Sequence, residues 1–408
     1  MNILLLRQYN PYIESGASAN RFRGLIDGIC REGHCVTIGI TGGFLKKNES
    51  SICSNQPNLN VVYLSKANHY NGIWGRLNTY FFDRFHLVLV KTCLKRLMRH
   101  NYDLVWLTNN DIVLSLYLKG FKGFSGKSFI ELNEFNDIYK GEGATGNFLQ
   151  KRKGKRKNQL FLKTVNQIDL FAVMTETLIE HYSKMSKSEA KFMLLPMTVD
   201  LSRFDNITSV DNIYHRPYIA FAGTMNNHKD GVDVLIKSFA KIAGQYPKYH
   251  LYLAGFWHND VLMQEKLIEE FGLKERIHYL GMLNREQIPP FVCNASVLAL
   301  SRPNSHQAQG GFPTKLGEYL ATRNPVCVTK VGEIPNYLKD NVSAYMAEPG
   351  DVDSFADALD RALQDPDNAR QVGTNGRIVA EESFSAEVQS KRLAIFLENN
   401  IQCQSNNN

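Results

Sequence analysis

The stretch from Ser301 to Thr329, SRPNSHQAQGGFPTKLGEYLATRNPVCVT, constrains this chain more than any other. It lies between an apolar run, Val297 to Leu300, that reads as a buried strand and a second strand from Pro325. Between the two come Gly310 and Gly311 and a helix expected from Pro313 to about Thr322. Pro313 suits the first helical position, where a missing N–H costs nothing, and the glycines allow close backbone approach to a ligand. The free amides of that first turn would face an anion such as a diphosphate. Glu318 follows Thr314 by about one helical turn, which brings its carboxylate within reach of a sugar hydroxyl on a nucleotide held there.

A chain of 408 residues has room for two domains, each with its own core. Its 43% hydrophobic and 21% charged content is that of a globular protein, and its net charge of +7 leans towards anionic partners. Seven cysteines without a C-x-x-C give neither a disulfide framework nor a zinc site, so a reduced, cytosolic compartment is expected. Leu4 to Leu6 are too short an apolar run for a signal peptide, and no stretch reaches the roughly 18 apolar residues that span a bilayer. Any membrane contact would therefore be peripheral, at the inner face.

In chain order, Asn2 to Leu6 reads as a strand, Arg7 to Ser18 as a loop bearing Gly16, Ala19 to Glu32 as a helix and Cys35 to Ile40 as the next strand. Such a βαβ unit implies a parallel sheet with its ligand site at the strands' carboxyl ends. The loop carries Gly16 alone rather than G-x-G-x-x-G, which gives dinucleotide binding little support. Gly16 is either a turn glycine or the point where the loop approaches a substrate. Further strands are expected at Val61 to Leu64, Leu104 to Leu107, Ser128 to Leu132, Leu170 to Met174 and Leu194 to Pro196. Asn133, Glu134 and Asp137 lie just past one of them, at the end where ligands bind. An amphipathic helix from about Tyr80, bearing Lys91, Lys95, Arg96 and Arg99, either packs on the sheet with a solvated basic face or lies on an anionic membrane.

Lys151 to Lys157, KRKGKRK, is the densest charge run. It reads as a solvated helix start or loop, or as a patch that steers an anionic acceptor or lipid surface. Nucleic-acid binding is not indicated, since no aromatic interleaving accompanies it. After a polar linker at 205–216, a second α/β series opens with a strand at Tyr218 to Ala222, then Gly223, a polar loop holding Lys229, and a helix from Val232. A glycine at a strand end with a lysine before a helix N-terminus can hold a phosphate. The series continues through strands at Leu251 to Leu253, His278 to Leu280 and Val297 to Leu300, and closes with helices to about Glu382 and a last helix from Ala386 to Asn399.

The ordered segments FAGTMNNHKDGVDVLIKSFA, YLAGFW, IHYLGML, QGGFPTKLGEYLATRNPVCVT and EESFSAE resemble the donor-binding domain of family-four (group 1) retaining glycosyltransferases of the GT-B fold. GASANRFRGLIDGICREGHCVTI and LLPMTVDLSRF resemble the acceptor-side domain of the same enzymes. The resemblance implies an α/β architecture of two Rossmann-like domains with parallel sheets facing across a cleft. Its expected divisions are an acceptor-side domain at 1–204, a linker at 205–216, a donor domain at 217–384, a helix crossing back at 385–400 and a polar tail at 401–408.

The same resemblance implies that Glu318 is the second glutamate of the E-x7-E motif and bonds the nucleotide ribose, and that Lys229 contacts the donor diphosphate; these two are the catalytic candidates. The backbone from Gly311 through Phe312, Pro313 and Thr314 to Lys315 would cradle sugar and phosphate with its amides, Pro313 having none to donate, and Met282 and Leu283 would meet the base. Gly16 would come close to donor phosphate and acceptor, and Asn133 and Glu134 would serve the acceptor. Gly310 falls where the family has its first glutamate, Thr224 where it has an arginine beside Gly223, and Asn133 where it often has a histidine. The implied activity is a retaining, metal-independent, hexosyltransferase-like transfer from a nucleotide diphosphate sugar to a saccharide or lipid-linked acceptor in surface polysaccharide synthesis, without a cofactor or a metal. A nucleotide-sugar epimerase and a non-catalytic nucleotide- or sugar-binding subunit are the alternatives.

Overall fold

The computed structural model describes residues 1–14, 16–46, 56–65, 88–121, 123–136, 148–205, 207, 214 and 217–402. The start of the helix expected from Tyr80, Asp137, most of the linker at 205–216 and the end of the polar tail lie outside them. The chain divides into two units, Met1–Leu195 with Gln389–Asn408, and Pro196–Val388.

The first unit is built on seven strands, β1 (Asn2–Arg7), β2 (Cys35–Ile40), β3 (Leu59–Tyr63), β4 (Leu104–Leu107), β5 (Lys127–Leu132), β6 (Leu170–Val173) and β7 (Lys191–Leu194). They pair in parallel in the order β3-β2-β1-β4-β5-β6-β7. Runs such as Ile3 to Leu6 and Leu104 to Leu107 are wholly buried, as expected where both faces of a parallel sheet are covered. One cover is the helix Ala17–Arg31, whose Leu25, Ile26 and Ile29 share a core with Trp106, Phe129, Leu393 and Leu397. Gly28 makes that packing close: a Cβ there would lie 1.8 Å from Ser390 Oγ on the C-terminal helix Ala386–Gln402.

The expected strand at Leu194 to Pro196 is corrected to Lys191–Leu194. Pro196 has no N–H to donate to the ladder. The residues after it belong to the second unit, ahead of the expected division at 204/205, because Val199 bonds Phe384 O at 2.8 Å and receives Ala386 N at 2.9 Å.

The second unit carries β8 (Tyr218–Ala222), β9 (His250–Ala254), β10 (Ile277–Gly281), β11 (Val297–Leu300), β12 (Val326–Thr329) and β13 (Tyr345–Ala347), all parallel, in the order β10-β9-β8-β11-β12-β13. In each sheet the strand order reverses beside the first strand of the series, at β1/β4 and at β8/β11. Ligands bind at the carboxyl ends of such pairs, where the connecting loops part to opposite faces. Among the described residues no helix is long and apolar enough to cross a membrane.

Candidate functional site

In the second unit the site is built by the turns after β8 and β11 and by the helix Thr314–Ala321. After Gly223 and Thr224 the chain enters a single helical turn, Asn227–Asp230, started by the Asn226 side chain, which accepts Lys229 N–H at 2.8 Å. Lys229 is therefore exposed on a helical turn, not in the loop expected from its polar neighbours. Gly231 ends the turn at φ 68°, and a Cβ there would lie 2.0 Å from Ser301 O. Only glycine fits that approach. Ser301 Oγ in turn donates to Gly231 O at 2.8 Å, closing the β8 turn onto the end of β11.

The Thr314–Ala321 helix is anchored beside these turns. Tyr319 Oη accepts Ala222 N–H at 2.7 Å, and Gly317 lets the helix lie against Met197. The anchoring turns Lys315 inward. Its Nζ is 2.8 Å from Asp230 Oδ2 and 4.7 Å from the centroid of the Phe221 ring, while Asp230 is 2% exposed. Gly223 makes room for it, since a Cβ there would stand 2.1 Å from Lys315 Nζ. Burial holds the Lys315 ammonium below the usual lysine range; Asp230 opposes that shift, and Arg302 and Lys229 add to it.

Glu318 stands one position short of a full turn from Lys315 on the same helix. Arg203 Nη1 approaches Glu318 Oε1 to 3.1 Å, and Arg203 Nη2 donates to Arg285 O at 2.8 Å. Burial raises the Glu318 carboxyl above its ordinary value, against the pull of Arg203, Arg285 and Lys315.

Several expectations for the central stretch need correction. Gly310 is not in an open loop: it ends a short helix, His306–Gly310, which Ser305 caps by accepting Ala308 N–H at 3.1 Å. The Gly311 amide is spent on Gln307 O at 3.1 Å and is not presented to a ligand. Phe312 is buried, its ring 5.5 Å from Tyr337 and 5.3 Å from Phe384, so its side chain belongs to the core. Pro313 is the residue before the helix, extended at φ −71°, ψ 109°, and no side chain caps the turn begun by Thr314 and Lys315. After β10, Met282 is exposed and Leu283 half-buried. The structure thus groups Gly223, Thr224, Lys229, Thr314, Lys315 and Glu318 around the carboxyl ends of β8 and β11. It also brings in Asp230, Arg203 and the exposed Phe256 and Trp257 after β9, none of which the sequence reading singled out. The pair in YLAGFW, aromatic and placed right after a strand-end glycine, was the available signal.

In the first unit a cavity of about 370 Å³ opens at the carboxyl ends of β1, β4 and β5, lined by Arg7, Glu14, Asn109, Asn133, Glu134 and Phe135 among others. Arg7 Nη2 is 2.6 Å from Glu14 Oε2, with its guanidinium 4.2 Å above the Phe22 ring. The Asn133 side-chain oxygen is buried with no hydrogen-bond partner among the described residues, whereas neighbouring Glu131 is a core residue paired with Arg21. Glu134 is exposed, and its carbonyl accepts Tyr182 Oη–H at 2.9 Å. Gly16 precedes the Ala17–Arg31 helix at φ 109°, exposed, with its carbonyl accepting Asn20 N–H at 3.0 Å. A larger cavity, about 690 Å³, is lined by Asn2, Cys35, Arg96 and His100 at the amino ends of β1 and β2, the wrong end for a parallel-sheet ligand site.

The basic run lies within one helix, Phe148–Val165. Phe161 and Val165 are buried, Lys157 pairs with Asp111 at 2.7 Å, and Lys151, Arg152, Lys153, Lys155 and Arg156 are exposed.

Solved structures match this architecture along its whole length. Sucrose-phosphate synthase from Thermosynechococcus elongatus aligns over 98% of each chain with a TM-score of 0.74 at 17% identity. Two parallel Rossmann-like sheets on that pattern define the GT-B fold. Residues 205–379, which include the Lys315 and Glu318 helix, match the family Glycosyl transferases group 1. The match covers residues 205–379, less than half of the chain. Among curated relatives, the MMP alpha-(1->4)-mannosyltransferase of Mycolicibacterium hassiacum is 30% identical over 32% of this chain and 31% of its own length. The GDP-mannose-dependent monoacylated alpha-(1-6)-phosphatidylinositol monomannoside mannosyltransferase of Corynebacterium glutamicum is 22% identical over 59% and 65%. The chain thus spans less than two thirds of the length of either relative.

Proposed function

We propose that this protein is a glycosyltransferase that passes a hexose from a nucleotide diphosphate sugar to a saccharide or lipid-linked acceptor, with retention and without a metal or cofactor. The observation that carries the reading is the grouping of Lys229, Lys315 and Glu318 at the carboxyl ends of β8 and β11, within the segment that matches the family. Glu318 would accept a ribose hydroxyl, Lys229 would face the diphosphate, and the uncapped turn at Thr314 and Lys315 would meet donor sugar or phosphate. Met282 and Leu283 would flank the base. Breaking the bond from the sugar C1 to the diphosphate oxygen leaves the electron pair on that oxygen; cations there lower the barrier by stabilising the charge as it develops. The acceptor hydroxyl would attack the same face and pass its proton to the departing oxygen.

The cavity holding Asn133 and Glu134 would take the acceptor, and the exposed helix bearing Lys151 to Lys157 would rest on an anionic membrane surface at which surface polysaccharide is assembled. A GDP-mannose donor, used by one relative, and a UDP-sugar are the candidates. A second reading, a nucleotide-binding subunit without turnover, is favoured by Gly310, a buried glycine where the family resemblance calls for a carboxylate. Calorimetric titration with UDP and with GDP, followed by assay of the matching sugar donors with and without acceptor, separates these readings. Turnover only with acceptor supports transfer, turnover without acceptor indicates epimerisation, and binding without either supports the subunit.

A further inference from the structure

We infer that the side-chain ammonium of Lys315, and not only its backbone amide, contacts the donor diphosphate, with Asp230 as the residue that positions it. The inference rests on the nucleotide-sugar reading above and adds a second cation to Lys229. A lysine ammonium has three N–H donors. One meets Asp230 Oδ2 at 2.8 Å, and the Phe221 ring covers another side with its centroid 4.7 Å away. The Lys315 side chain nevertheless remains 17% exposed at the end of β8.

A purely structural ion pair explains this arrangement poorly. Partly desolvating a lysine and a carboxylate is costly, and an apolar pair of the same volume commonly gives equal or greater stability. The chain also keeps Gly223 where any side chain would collide with the ammonium, its Cβ falling 2.1 Å from Nζ. Thr224, next in sequence, supplies no charge. Lys229 and Arg302 both act electrostatically on Lys315, which places further positive charge near the ammonium beside the Asp230 carboxylate. A diphosphate diester carries two negative charges that this side of the site would attract.

The test compares anions with and without the nucleoside. Wild type, Lys315→Met, Lys315→Met with Asp230→Asn, and Gly223→Ala are titrated calorimetrically, without metal, with UDP, GDP, the corresponding nucleosides and inorganic diphosphate. The double variant removes the unpaired buried carboxylate, so it remains informative if the single one unfolds; Gly223→Ala displaces the ammonium without deleting it. The expected result is a ten- to hundredfold loss of affinity for inorganic diphosphate and for the bound nucleotide in all folded variants, with the nucleoside affinity unchanged and a shallower salt dependence. Unchanged diphosphate affinity in the folded variants overturns the inference. Binding of inorganic diphosphate that depends on Lys315, with neither UDP nor GDP bound, would instead sink the nucleotide-sugar reading and leave the anion site standing. A wild type that binds none of these ligands overturns both.

Discussion

Arg203 and Glu318, 115 residues apart in sequence, meet at 3.1 Å through the carboxylate oxygen Oε1. Arg203 is itself fixed by its bond to Arg285 O at 2.8 Å, so the pair aims the carboxylate. A positioned carboxylate loses less entropy when it takes a ribose hydroxyl. Arg203→Met is expected to weaken the ribonucleoside diphosphate roughly ten- to thirtyfold, the loss of one charge-assisted bond of about 1.5–2 kcal/mol. A 2′,3′-dideoxy analogue should be unaffected. A double-mutant cycle with Glu318→Gln should be strongly non-additive; additivity would mean that Arg203 acts elsewhere.

Glu318 also gives the site a pH dependence with opposite signs for binding and stability. Burial raises its folded-state pKa, so the stability tied to this group is fully present below the unfolded value of about 4.3 and lost as pH rises through the folded value. At neutral pH the ionised carboxylate therefore costs stability. Glu318→Gln should match or exceed wild type in Tm at pH 7 and bind the ribonucleotide more weakly. In wild type, affinity should fall as pH drops through the raised value, a step that vanishes in the Gln variant. A destabilised Gln variant with unchanged affinity would make Glu318 a structural residue.

Gly231 is held by its φ of 68° and by Ser301 O, 2.0 Å from where a Cβ would stand. Gly231→Ala should cost about 1–3 kcal/mol in backbone strain and contact. Thermal unfolding should show it as a fall of about 2–4 °C in Tm for each kcal/mol. Since the same turn carries Lys229 and Asp230, nucleotide affinity should fall too, even in well-folded protein. The same change at exposed Gly244, which has nothing within 4 Å of a Cβ, should move neither.

If the cavity in the first unit takes the acceptor, the buried oxygen of Asn133, unpartnered among the described residues, is the group it would satisfy. Asn133→Leu removes a desolvated acceptor that costs about 1–3 kcal/mol while unsatisfied, so the variant should be as stable as wild type. Transfer kinetics should show the acceptor KM raised about tenfold, with nucleotide affinity unchanged. A loss of nucleotide affinity instead would remove Asn133 from the acceptor role.

The sheets were legible because strands buried on both faces leave apolar runs that need no partner to be recognised; Cys35–Ile40 and Tyr218–Ala222 were read to the residue. Contacts made at a distance in sequence were not. Nothing local turns Lys315 towards Asp230; the Tyr319 bond to Ala222, 97 residues away, sets the helix's rotation. The pair Gly310-Gly311 suggested an open loop, yet Ser305 starts a helical turn that uses the Gly311 amide. Nothing local shows that Tyr337 and Phe384 enclose the Phe312 ring, a contact that leaves the expected role of its backbone amide untouched.

The exposed cations of the Phe148–Val165 helix form either a solvated face or one that binds an anionic membrane, and the two differ in a measurable way. Lys151, Arg152, Lys153, Lys155 and Arg156 lie within two turns of one helix, and Lys157 is the one neutralised by a described carboxylate, Asp111. Near an anionic bilayer each such residue contributes about 1 kcal/mol, an attraction that decays within a Debye length. Replacing all five with Gln should therefore lower binding to phosphatidylserine-containing vesicles by roughly three to four orders of magnitude, and wild-type binding should weaken steeply between low and physiological salt. Helix content and nucleotide affinity should not change, because Phe161 and Val165 hold the helix from its other side. Equal vesicle binding by wild type and the Gln variant would leave the run as a solvated surface and confine the acceptor to soluble saccharides.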